Sequence, residues 1–247
     1  MGGSKGLETT LHVSNSDAAG YSSRRTQSVS DLTAEVLASL KSLGYAHIRQ
    51  SHTYEEFEEI AQQFGSITLR TDLAITPARS SIVYKPDEIR LHQDNPTMNV
   101  LAWYCVRQDQ LDGSVQLLDA GDVCDHFSAC EIAIMKTIRI GYPDPDPTRH
   151  NPDQGLIAHL LWPLLREKAT RTDVYYTPWL LIDTYDEQQR RLLEKFAEYL
   201  RRKEVITIRL KAGESVFIDN NRILHGRGPI QEDSQRLIKR VWIKADN

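Results

Sequence analysis

From residue 80 onward the chain is cut into short runs of β-branched and aromatic residues, at 81–84, 89–94 and 100–106, each bounded by proline or polar turn residues. Runs of this length and character form strands rather than helices. The rhythm returns at 205–210, Ser215–Asp219 and Leu237–Lys244, with a turn at 211–214 between the first two. Helical spacing is confined to four places. Leu32, Val36, Leu37, Leu40 and Leu43 form one stripe, with Ser30 as its N-cap and Gly44 as its stop. A short strand at 45–49 separates it from a second helix, which Thr53 opens and Glu55 and Glu56 support in the first turn. Its buried stripe is Phe57, Ile60, Ala61 and Phe64. Residues 123–137 place Phe127, Cys130, Ile134 and Met135 at helical intervals, and residues 186–203 do so with Leu192, Leu193, Phe196 and Leu200. The expected fold class is therefore mostly β with flanking helices, a barrel or a sandwich.

With 247 residues, 40% of them hydrophobic and 26% charged, the chain has enough apolar material for one folded domain. Residues 1–29 are rich in Gly, Ser, Thr and Asn without a sustained period and read as a flexible tail, leaving 30–247 as a single domain. A net charge of −4 gives no global field for nucleic acid or an anionic membrane. No apolar run is long enough for a membrane span, and the start lacks the basic and apolar stretches of a secretory signal, so the expected location is cytoplasmic. Cys105, Cys124 and Cys130 are odd in number and lack C-x-x-C spacing, which argues against a disulfide framework or a thiolate zinc site.

The chemistry gathers in three segments. In Ile89-Arg90-Leu91-His92-Gln93-Asp94 the alternation of a strand puts Arg90, His92 and Asp94 on one face, so that His92 and Asp94 can bind one ion. His225 follows the strong strand and turn that begins at Ser215. Two histidines and one carboxylate make up the facial ligand set of non-haem Fe(II) oxygenases, which leaves three positions open for a chelating 2-oxoacid and O₂. An H-x-D pair alone more often makes ordinary hydrogen bonds, and the end of the chain adds the second argument. On one strand Arg236, Ile238, Arg240 and Trp242 face one way, and Leu237, Lys239, Val241 and Ile243 the other. Two guanidinium forks on one side suit carboxylate ligands, whereas a surface strand would leave them solvated.

His92-Gln93-Asp94, the run Phe217-Ile218-Asp219-Asn220-Asn221-Arg222-Ile223-Leu224-His225-Gly226-Arg227 and Arg236 together resemble the Fe(II)- and 2-oxoglutarate-dependent oxygenases of the taurine dioxygenase and clavaminate synthase-like superfamily. The resemblance extends over most of 31–244. It implies a double-stranded β-helix (jelly-roll, cupin-like) core, with Fe(II) on His92, Asp94 and His225. Arg236, eleven positions beyond His225, would hold the far carboxylate of 2-oxoglutarate, and Arg240 an anionic head of the substrate. The implied reaction is an oxygenation by O₂ with release of succinate and CO₂, most often hydroxylation of an unactivated C–H bond. Its substrate would be a small anionic molecule such as an amino acid or a derivative of specialised metabolism.

One departure stands out. Where the family carries Gly-Gly-x-Thr, with a threonine hydroxyl on the cosubstrate, this chain has Asp112-Gly113-Ser114-Val115. Valine cannot donate that bond; the expectation is that Ser114, Gln116 or another group replaces it, or that the cosubstrate rests on Arg236 with less support. Asn95 and Trp179 are further candidates for substrate contact, while Tyr84 and Trp103 read as core residues. The segment 141–180 is expected to contain a lid over the cavity. His47, His126, His150 and His159 lack a second ligand at useful spacing. Motifs of zinc peptidases, serine hydrolases, nucleotide hydrolases and dinucleotide enzymes are absent. Desaturation or cyclisation with the same cofactors, or a non-catalytic metal-binding jelly roll, are the alternatives.

Overall fold

The computed structural model describes residues 27–79, 81–141 and 161–246. Helix α1 (Val29–Leu43) starts two residues earlier than the sequence predicts. Ser28 is its cap, because Asp31 stands three positions on and closes a reciprocal capping box with it. Gly44 ends the helix in the left-handed region at φ 78°, a conformation that favours glycine. Strand β1 (Tyr45–Ile48) leads to α2 (Tyr54–Gln62), capped by the Thr53–Glu56 box, and to β2 (Ser66–Leu73). Residues 82–84 form a 3-10 turn and not the expected strand.

The remaining strands of the core are β3 (Ile89–His92), β4 (Val100–Arg107) and β5 (Val115–Asp119). The expected helix at 123–137 is two, α3 (Val123–His126) and α4 (Ala129–Met135), because Ser128 forms a new capping box with Glu131 and restarts the turn. Short pairs follow, β6 (Arg139–Ile140) with β7 (Trp162–Pro163) and β8 (Leu165–Glu167) with β9 (Thr172–Val174). Helix α5 (Glu187–Arg202) and strands β10 (Ile206–Ile208), β11 (Ser215–Asp219), β12 (Ile223–Arg227) and β13 (Leu237–Lys244) complete the chain.

The strands pair into two antiparallel sheets, β1-β11-β4-β13-β2 and β10-β5-β12-β3. Alternation along each strand divides the side chains between three apolar clusters. Leu101, Trp103 and Cys105 of β4, Val216 and Ile218 of β11, and Ile238 and Trp242 of β13 meet Val115 and Leu117 of β5 and Ile223 of β12 between the sheets. The opposite faces of the larger sheet, Ala102, Tyr104, Phe217, Val241 and Ile243, are covered by α1 and α2 through Val36, Phe57 and Ile60. Outside the smaller sheet, Leu118 and Leu224 pack under α4 and α5 with Met135 and Phe196. Each sheet is thus buried on both sides, and the fold is a double-stranded β-helix whose interior opens between the sheets. Among the described residues no helix is long and apolar enough to cross a membrane. Most of the expected N-terminal tail, His150, His159 and residues 142–160 of the expected lid segment lie outside the described residues.

Candidate active site

His92 and His225 are brought together by strand pairing, since β12 lies between β5 and β3 with His225 opposite His92. The register then slips, so that Arg227 pairs with Ile89 and β3 carries one extra residue. That bulge corrects the sequence expectation of a shared face for Arg90, His92 and Asp94. Ile89 and His92 are buried and line the interior, whereas Arg90 is exposed. Gly226 sits at the slip, where a Cβ would lie 2.6 Å from the Ile89 carbonyl oxygen, so the two backbones meet as closely as they do only because this residue has no side chain.

Asp94 lies beyond the end of β3, and its position is set by its neighbours. The Gln93 side chain donates to Asn220 O at 2.9 Å and accepts from Tyr176 N at 2.8 Å, while Thr177 Oγ1 donates to Gln93 O at 2.8 Å. Asn220 Oδ1 accepts from the Asp94 backbone at 3.3 Å, and its amide donates to Asn95 O and Met98 O. The turn after β11 therefore clamps the loop after β3. The result is one cluster of ligand atoms from His92, Asp94 and His225, all within 4.8 Å of one another. Asp94 Oδ1 lies 3.3 Å from His92 Nε2 and 3.6 Å from His225 Nε2.

The protonation states suit a cation. His92 Nδ1 lies 2.8 Å from Arg90 O, and a carbonyl only accepts, so Nδ1 donates there and Nε2 is the ring atom turned toward Asp94. Burial and the neighbouring His92 push His225 down to about 4, which leaves a neutral imidazole at physiological pH. Burial alone would raise the Asp94 carboxyl, but the Arg240 charge, with the His225 and His92 rings beside it, holds it well below the usual range. Two imidazoles and one carboxylate on a single side fit Fe(II).

Beside this cluster lies a small cavity lined by Leu73, Val83, Ile89, Val115 and Trp103, with three guanidinium groups, Arg227, Arg236 and Arg240. All three are buried. Arg236 donates to Gln108 Oε1 at 3.1 Å and to Gly113 O at 3.4 Å, and Arg227 donates to Lys85 O and Asp87 O, all neutral acceptors. Among the described residues neither forms an ion pair. Burial pushes both down to about 10, at Arg236 with added repulsion from Arg227, against the nearby charges of Asp87 and Asp109 at Arg227 and of Asp109 and Asp112 at Arg236, and both are still charged at neutral pH. Arg240 Nη1 instead meets Asp94 Oδ2 at 2.9 Å, and its Nε has no hydrogen-bond partner among the described residues.

The other expected site residues divide. The Trp179 ring stands 4.7 Å from that of His92 and is partly exposed, at the rim of the cluster. Ser114 points its hydroxyl at Asp112 Oδ1, 2.5 Å away, while Val115 faces the cavity. Asn95 turns onto Thr97, accepting from its backbone and hydroxyl at 2.9 and 2.8 Å. Trp103, read from sequence as core, is buried and also packs 4.9 Å from the His225 ring. His47 pairs with Glu214 at 3.0 Å, away from the cluster. Four contributors escaped the sequence reading. Gln93 and Asn220 are generic polar residues until the fold joins them. Arg227 lies two positions after His225, and Trp242 was placed by alternation on the face of Arg240 but given no role.

Residues 12–242 match the family described as taurine catabolism dioxygenase TauD, TfdA family. A search of curated proteins finds no match. Among solved structures, the chain is similar to an asparagine oxygenase in complex with Fe(II), 2S,3S-3-hydroxyasparagine and succinate. The TM-score is 0.69 at 13% identity, covering 87% of this chain and 79% of that one. It is also similar to the non-heme iron oxygenase OrfP in complex with Fe and alpha-ketoglutaric acid, with a TM-score of 0.66 at 18% identity, covering 88% of this chain and 80% of that one. At these identities the likeness carries the fold, and the family match, which spans nearly the whole chain, carries the membership. This chain belongs to the TauD, TfdA family of dioxygenases.

Proposed function

We propose that this dioxygenase uses Fe(II), 2-oxoglutarate and O₂ to hydroxylate an unactivated C–H bond of a small amino-acid-like molecule that carries an anionic group. Substrate, 2-oxoglutarate and O₂ would give hydroxylated substrate, succinate and CO₂. The observation that carries this reading is the pairing of one metal-competent cluster, His92, Asp94 and His225, with two buried guanidinium groups, Arg227 and Arg236, that form no ion pair among the described residues. A buried cation without a counter-ion is costly, and a dicarboxylate is the ligand that offsets it.

His92, Asp94 and His225 would hold the iron, which supplies the activation of O₂ when bound. Arg236 would receive the far carboxylate of 2-oxoglutarate, with Arg227 adding positive charge to the same cavity. Leu73, Val83, Ile89 and Val115 exclude water from that end, so the charge pair there is not screened. Val115 occupies the place of the family threonine, and Ser114 is committed to Asp112. The cosubstrate therefore rests on guanidinium charge with no hydroxyl from this position. Trp179, in the described part of the expected lid segment, would close the open side of His92 and bear on the substrate.

The charge balance supports an anionic substrate. Asp94 is the one acid in the cluster and is already paired with Arg240, whose Nε, without a hydrogen-bond partner among the described residues, leaves capacity for a carboxylate or sulfonate. The solved relatives carry hydroxyasparagine and hydroxyarginine, which supports an amino-acid scaffold. The test is succinate release with product mass across a panel of acidic and neutral amino acids, sulfonates and arginine. Succinate coupled to a gain of one oxygen atom with an acidic or neutral member is the expected result. Loss of two hydrogens would identify desaturation or cyclisation, and no succinate with any member, despite bound 2-oxoglutarate, would favour a non-catalytic protein.

A further inference from the structure

The Asp94 carboxylate is divided between two sets of neighbours. Oδ1 faces the imidazole nitrogens at 3.3 and 3.6 Å. Oδ2 accepts from Arg240 Nη1 and from Trp242 Nε1, both at 2.9 Å. Arg240 also lies over the Trp242 ring, its guanidinium carbon 5.1 Å from the ring centroid, so the two donors are packed as a unit. Both side chains come from β13, two positions apart on the inward face.

From this division we infer that Trp242 is a positioning residue for the metal centre: its indole N–H reserves Asp94 Oδ2, so that only Oδ1 is offered to the metal. The inference rests on the metal-centre reading above. A carboxylate with both oxygens free can bind a cation through either or both, and a second bond would use a position needed by cosubstrate or O₂. Two donors on Oδ2 oppose that.

Arg240 and Trp242 are not equivalent in this task. Arg240 lines the cavity and has an unpartnered Nε, so an anionic ligand can draw its guanidinium away. Trp242 cannot follow. Its ring is buried in the cluster between the sheets, and its backbone is held on both sides, opposite Leu101 of β4 and Leu69 of β2. The register of β2 against β13 slips just after Trp242, leaving Thr68 as the extra residue on β2, and the Thr68 hydroxyl donates to Trp242 O at 3.2 Å. Bulges beside functional sites fix the aim of a side chain in this way. Phenylalanine would fill most of the same apolar space, and what tryptophan adds is one donor directed at a metal ligand.

The experiment uses Co(II), a redox-stable probe read by calorimetry and by its visible absorption, with wild type, H225A, W242F and W242H. Wild type should bind one Co(II), and H225A should lose it. W242F should retain the wild-type circular dichroism, bind Co(II) about tenfold or more weakly and change the band intensities, as expected when an outer partner of a ligand is lost. W242H returns a ring N–H to nearly the same place and should recover most of the affinity and the wild-type bands. W242F identical to wild type in both readouts, or W242H no better than W242F, overturns the inference while leaving the metal centre intact. Wild type that does not bind Co(II) overturns the metal-centre reading itself. If W242F does not fold, the indole ¹⁵N–H resonance of Trp242 in wild type decides: protection from exchange and a shift on Zn(II) loading support the role, and a signal unmoved by Zn(II) overturns it.

Discussion

His92 and His225 face each other across adjacent antiparallel strands, their rings 4.3 Å apart. Neither strand could offer this pair alone, and the contact depends on the register between β3 and β12. The bulge in β3 and the glycine at 226 are therefore parts of the site as much as the ligands are.

Gly226→Ala tests that register. The added methyl group would meet the Ile89 carbonyl at 2.6 Å and Gln116 Oε1 at 3.2 Å, and the first of these is backbone that yields only if β3 moves. Overpacking of this kind costs about 1–3 kcal/mol. The expected outcome is a melting temperature lower by several degrees together with weaker metal binding, measured by calorimetry on the same preparation.

Arg236→Ala separates cosubstrate from metal. Removing one side of a buried charge pair costs about 2 kcal/mol or more, so 2-oxoglutarate affinity should fall about 30-fold or further while Co(II) affinity stays within about twofold of wild type. Arg236→Lys should recover only part of the loss, because an ammonium group lacks the two-pronged fork. Isothermal titration with each ligand separately gives both numbers.

Val115→Thr asks whether the missing hydroxyl matters. Position 115 faces the cavity that Arg236 lines, and threonine is close to valine in volume. One new hydrogen bond is worth about 0.5–1.5 kcal/mol, so the Kd for 2-oxoglutarate should drop by roughly two- to tenfold. An unchanged or raised Kd would mean that the cosubstrate does not approach this residue.

Asp173 predicts a pH effect on stability remote from the metal ligands. The residue is buried and meets Arg166, Lys168 and Arg171 at 2.8–2.9 Å. Burial would raise its carboxyl, but hydrogen bonds from Lys168 and Arg166 and the charge of Arg171 outweigh that and lower it. Its stabilisation is therefore present above the ordinary carboxylate range and is lost as pH falls through the lowered value. Asp173→Asn should cost about 1–3 kcal/mol at pH 7, and the difference from wild type should shrink in strong acid, as followed by chemical denaturation.

Much of the site was legible from residue chemistry and strand periodicity. The shared side of Arg236, Arg240 and Trp242 follows from alternation, and the choice of His92, Asp94 and His225 follows from ligand type and the family resemblance. What sequence could not supply was register. Alternation across 89–94 put Arg90 inside, and the slip opposite Gly226 put it outside. Strand β2 was overlooked because only Thr71 and Leu73 of its eight residues are fully buried, and β12 because its five residues are buried on both faces and lack alternation. Ser114 looked like a substitute for threonine by neighbourhood, but Asp112 takes its hydroxyl. Helix α1 is capped by Ser28 instead of Ser30, and the single helix expected over 123–137 restarts at Ser128, because each of these serines has an acid three residues later, Asp31 and Glu131, that closes a capping box.

The most direct test of the central claim is an anaerobic titration of the protein with Fe(II) and then 2-oxoglutarate, followed by visible absorption. Wild type should develop a metal-to-ligand charge-transfer band that saturates at one equivalent and is absent from His225→Ala. No band in wild type, or an undiminished band in His225→Ala, would contradict it.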